Sequence, residues 1–67
     1  MFRIEIDYGD FFVIEDERKE KNLSNYEKLF FLDEDVKKVR FFAKESGSVY
    51  TLVNELEKEK EMRVIGF

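Results

Sequence analysis

The sequence predicts a small α+β domain, a mostly antiparallel sheet with one helix packed on one face. Three observations predict it. "FRIEIDY", residues 2–8, alternates apolar and polar side chains with the period of a half-buried strand. Gly9-Asp10 then supplies a two-residue turn, and "FFVIEDE" resumes a β-rich pattern, so the two segments read as a hairpin. Farther along, Val49, Leu52, Val53 and Leu56 recur at i, i+3, i+4 and i+7, the apolar stripe of an amphipathic helix.

Taken in order, the first strand places Phe2, Ile4, Ile6 and Tyr8 on one face and Arg3, Glu5 and Asp7 on the other. Residues 18–25, "RKEKNLSN", lack periodicity and carry much charge, which marks a solvated loop. Residues 24–46 admit two readings. In the one adopted, "YEKLFFL" and "KKVRFFAK" are two further strands joined by Asp33-Glu34-Asp35, with Val39, Phe41 and Ala43 pointing inward. The alternative is a ββααβ order with residues 25–45 helical. Ser24 to Glu27 fits a capping box, and Leu29, Leu32, Val36, Val39 and Ala43 recur three and four apart. Against it, Phe31, Phe41 and Phe42 would project from the other sides of such a helix, and so short a chain could not bury them all.

Ser48 is a good N-cap for a helix over about 48–61, with Glu55 and Lys58, and Glu57 and Lys60, paired on its solvent side. "MRVIGF", residues 62–67, closes the chain as a C-terminal strand in which Gly66 weakens the end. There is no proline, repeat or low-complexity segment, so residues 1–67 are expected to form a single domain.

Composition narrows the chemistry. A chain of 67 residues buries only about 60% of the surface its unfolded form exposes, so the core is thin. Its aromatic fraction of 16% places the sequence among globular rather than disordered chains despite 42% charged residues. Cysteine and histidine are absent, which excludes disulfides and thiolate sites and removes the commonest general base and metal ligand. Glutamine is missing too, and with abundant Glu and Lys this matches the bias of heat-adapted proteins. No apolar run approaches the ~20 residues of a membrane span and no signal segment opens the chain, so a cytoplasmic protein without membrane contact is expected.

No catalytic residue, metal ligand or cofactor is expected. "LDEDV" and Glu15-Asp16-Glu17 are acidic runs, but their spacing suits a turn and a solvated or gatekeeping face, not a cation loop. Ser24, Ser46 and Ser48 lack a histidine, and no phosphate-cradling glycine loop exists. The chain is therefore expected to be no enzyme.

The basic cluster points elsewhere. Net charge is −4, yet it divides unevenly: −5 over residues 1–17, +3 over 18–44 and −2 over 45–67. On a strand, Lys38, Arg40, Phe42 and Lys44 share one face, opposite Val39, Phe41 and Ala43. The phenylalanine doublets 11–12, 30–31 and 41–42 raise the same issue: adjacent strand side chains face apart, so one helix cannot cover both rings. Phe42 and its neighbours would form an apolar patch rimmed by Lys38, Arg40, Lys44 and Arg63, of a kind monomers seldom leave bare. The expected function is thus a protein-interaction or accessory module, self-associating as a homodimer or meeting another protein through an aromatic sheet face. The second expectation is a binder of single-stranded nucleic acid through the same residues, disfavoured by the acidic total. A third, an acidic mimic of nucleic acid, rests only on the N-terminal charge.

Overall fold

The computed structural model describes residues 1–44, 47 and 49–58. The chain runs β1 (Phe2–Asp7), β2 (Phe12–Glu17), a 3₁₀ turn (Glu20–Asn22), α1 (Leu23–Leu32), β3 (Lys38–Ala43) and β4 (Thr51–Glu57). The strands form one antiparallel sheet in the order β2-β1-β3-β4, with α1 packed on one face. The small α+β fold read from the sequence is the fold observed.

The hairpin follows its local chemistry. Gly9 has φ of 98°, a left-handed conformation that glycine adopts without a Cβ clash. Its N–H donates to Asp7 Oδ1 at 2.7 Å, and the N–H of Tyr8 donates to the Phe11 carbonyl at 2.9 Å, closing the turn. Register pairs Phe2 with Glu17 and Asp7 with Phe12 across β1 and β2.

The core forms where alternation placed it. Ile4, Ile6, Val39 and Phe41 are buried beneath α1, joined by Phe30 of the helix and Val36 of the following loop. Phe2, Tyr8, Val13 and Leu56 pack partly against them from the same sheet face. Leu23, Tyr26, Leu29 and Phe30 recur three or four apart and form the helical side of this layer. Phe31 is turned outward, its ring edge-on to Phe30 at 5.1 Å.

Several expectations are corrected. "YEKLFFL" lies in α1 and not in a strand, because its inward stripe begins at Leu23, upstream of the stretch that looked strand-like. Each reading holds for one half: the helical alternative is right over residues 25–32, but the helix stops at Leu32, Val36 is in a loop, and Lys38–Ala43 is the strand β3. The Ser24 capping box does not form, for Ser24 Oγ donates to the Lys21 carbonyl at 3.2 Å and the N-cap is Asn22, two residues earlier.

The helix expected over about 48–61 is also overturned, since Thr51–Glu57 is β4. Val49, Tyr50, Thr51 and Val53 are β-branched or aromatic and lose side-chain freedom in a helix. Pairing with β3 gives Glu55 and Glu57 the cationic partners Arg40 and Lys38; Lys60 lies outside the described residues. Ser48 and the C-terminal strand over residues 62–67 lie outside the described residues.

Candidate functional site

The face of the sheet opposite α1 carries no covering element among the described residues. The pairings fix which side chains share it, because partners across an antiparallel ladder point to the same side. Three rows cross the four strands: Phe12, Asp7, Lys38, Glu57; Ile14, Glu5, Arg40, Glu55; and Asp16, Arg3, Phe42, Leu52.

The centre of this face is a lattice of charges. Arg40 reaches Glu55 Oε2 through Nε at 2.9 Å and Glu5 Oε1 through Nη1 at 3.3 Å, tying β3 to both neighbours. The Glu55 hydrogen bond, more than any other influence, raises the pKa of the guanidinium above its ordinary range. Lys38 Nζ lies 3.5 Å from Glu57 and 3.9 Å from Glu55. Arg3 Nε meets Asp16 at 3.3 Å. At the lower end of the face Tyr50 sits beneath two cations, Arg3 at 4.5 Å and Lys44 at 5.1 Å from its ring centroid.

The five residues singled out from the sequence therefore part company. Lys38 and Arg40 share the helix-free face as expected, but carboxylates neutralise both. Phe42 is half-buried on that face, between Arg3 and Leu52 by register. Lys44 is drawn to Tyr50, and Arg63 lies outside the described residues. Among the described residues the cross-strand neighbours of Phe42 are Arg3 and Leu52 rather than other rings, and the C-terminal members of the expected patch lie outside the described residues.

The apolar surface lies at the margins. Phe12 is 60% exposed and Ile14 48% on β2, while Leu52 is 48% exposed on β4. Val53 is also exposed, and it is the extra residue of a bulge, since Phe41 pairs with Asn54 and Phe42 with Leu52. Phe12 and Ile14 were legible as alternate residues of "FFVIE", but their place on an edge needed the strand order.

The acidic runs have structural duties. Glu17 accepts hydrogen bonds from Tyr26 Oη at 2.8 Å and Asn22 Nδ2 at 3.0 Å, which clamp the start of α1 to the end of β2 and hold its pKa below the usual carboxylate range. Burial first, then the bond to Glu17, pushes the Tyr26 phenol up to about 12. In "LDEDV", Asp33 Oδ1 accepts from the Asp35 N–H at 2.9 Å, a turn as expected. Among the described residues no group of three or more His, Cys, Asp or Glu is placed to hold a metal ion, and no helix is long and apolar enough to cross a membrane. The chain matches no protein family, no curated protein and no solved structure.

Proposed function

We propose that this protein is a non-catalytic interaction module whose partner is a second copy of itself, meeting it along the apolar margins of the helix-free side. One observation carries the reading. Large apolar side chains exposed among the described residues outnumber the buried ones, nine against six, and Phe12, Ile14, Leu52 and Val53 belong to sheet edges rather than to scattered surface positions. Exposed apolar side chains gathered on one sheet edge, as Phe12 and Ile14 are on β2, mark sites of protein contact. A thin domain also gains stability from association, since binding to the folded state alone lowers its free energy.

The ion-paired centre supports this over nucleic-acid binding. Phosphate recognition requires cations whose charge is free to replace counterions, and Lys38 and Arg40 are each held by two carboxylates. Sedimentation or light scattering across a concentration series tests the proposal: mass should rise from monomer to dimer in the micromolar range. A monomer at every concentration overturns it. Titration with a labelled single-stranded oligonucleotide at low salt should show no binding, and tight, salt-sensitive binding would favour the nucleic-acid reading instead.

A further inference from the structure

The sheet has two outer edges, and they are not equivalent. In an antiparallel pair, residues alternate between those whose N–H and C=O both engage the partner strand and those whose groups point away. The bond from Tyr8 N–H to the Phe11 carbonyl sets the phase for β1 and β2, and that from Lys44 N–H to the Met1 carbonyl sets it for β1 and β3. The two agree: even-numbered β1 residues bond β2 and odd-numbered ones bond β3. Ile4 and Ile6 therefore engage Glu15 and Val13, and the backbone groups of Phe12, Ile14 and Asp16 point outward from β2. On the opposite edge, the bond from Lys58 N–H to the Lys37 carbonyl leaves Glu55 and Glu57 pointing outward.

The β4 edge is guarded. Past the Val53 bulge its outward residues are the glutamates 55 and 57, and the bulge itself breaks its line, two devices that keep sheet edges from pairing with other chains. The β2 edge has regular register over all six residues and presents Phe12 and Ile14 beside backbone groups that no other described strand engages. Such an edge is a template for another strand.

We infer that two copies of this chain pair β2 to β2 in antiparallel sense about a two-fold axis at Ile14, giving one continuous eight-stranded sheet. This rests on the self-association proposed above. Outward-pointing residues must face one another, so only registers that oppose even-numbered residues are allowed. Centring on Ile14 opposes Ile14 to Ile14, Phe12 to Asp16 of the second copy, and Val13 to Glu15. Every acid of one strand then faces an apolar residue of the other. Centring on Val13 instead sets Asp16 against Asp10, a like-charge pair. In the favoured register Phe12 and Ile14 of both copies form one apolar strip on the helix-free face. So narrow an interface falls at the small end of specific contacts, which fits association in the micromolar range.

Amide hydrogen exchange, resolved by residue on dilute and concentrated full-length protein, tests the pairing. Phe12, Ile14 and Asp16 should gain protection as dimer forms, while Val13 and Glu15 are protected throughout. Ile14→Lys should weaken association by roughly a hundredfold, since two apolar side chains leave the interface and two like charges meet at the axis. Leu32→Lys, at an exposed position on α1 outside the apolar margins, should leave association unchanged. Protection gained at Glu55 and Glu57, or a dimer that survives Ile14→Lys, overturns the edge assignment and leaves self-association standing; a wild type monomeric at every concentration removes both. Should Ile14→Lys not fold, the exchange pattern of the wild type decides alone.

Discussion

At the scale of single residues, Glu17 shows how one carboxylate can set a helix in place. It receives Tyr26 Oη and Asn22 Nδ2 together, so β2 and the start of α1 are joined through two oxygens of one side chain. The protonation states that preserve this contact define its pH window. The folded Tyr26 pKa of about 12 lies above its ordinary 10.0, so the neutral phenol is the form that folding favours. Its contribution is present in full below about pH 10 and is lost as pH rises toward 12. Glu17 is depressed below 4.5, so its contribution is present above that pH and is lost as pH falls through the lower folded value. Urea midpoints measured against pH should fall toward both limits. Tyr26→Phe should flatten the alkaline limb, and its survival unchanged in the variant would show that Tyr26 is not its source.

Between elements, the ion lattice matters more as a selector of pairing than as a source of stability. Arg40 bridges β1 and β4, and Lys38 adds a second link to β4, all at partly exposed positions. Each such pair contributes only about 0.2–1 kcal/mol. Arg40→Ala leaves Glu5 and Glu55 without their shared cation, so it should lower stability by about 1 kcal/mol at low ionic strength. The difference should shrink by 1 M salt, where the Debye length is about 3 Å. A loss independent of salt would mean that the guanidinium acts through packing of its stem. The same lattice gives β4 its register: Lys38 opposite Glu57 and Arg40 opposite Glu55 bring unlike charges together, and a shift of one residue would send both acids to the helix side.

For the molecule as a whole, six buried side chains hold the described fold together. Ile4 and Val39 are wholly enclosed between sheet and helix, so small losses there tell. Ile4→Val should cost about 0.5–1.5 kcal/mol. In a domain of this size each kcal/mol corresponds to roughly 4–8 °C in thermal midpoint, so calorimetry on dilute protein should show a drop of several degrees. No change would mean that the core closes around the missing methyl group. Under the proposed self-association, binding would add to this thin core from outside, and thermal midpoints should then rise with protein concentration.

The sequence by itself determined the hairpin, the inward set Ile4, Ile6, Val39 and Phe41, and the direction of Lys38, Arg40 and Phe42. Strand alternation is readable between residues i and i+2, and a glycine turn between neighbours, so neither needs distant information. Only tertiary structure decided which segment became the helix. Residues 49–56 carry a helical stripe, yet they also suit the open edge of β3, whose cations have their acids 15 to 19 residues away, at Glu55 and Glu57. That pairing, and the strand order that leaves Phe12 and Ile14 on an outer edge of the described sheet, depend on contacts between distant parts of the chain, where local periodicity carries no signal.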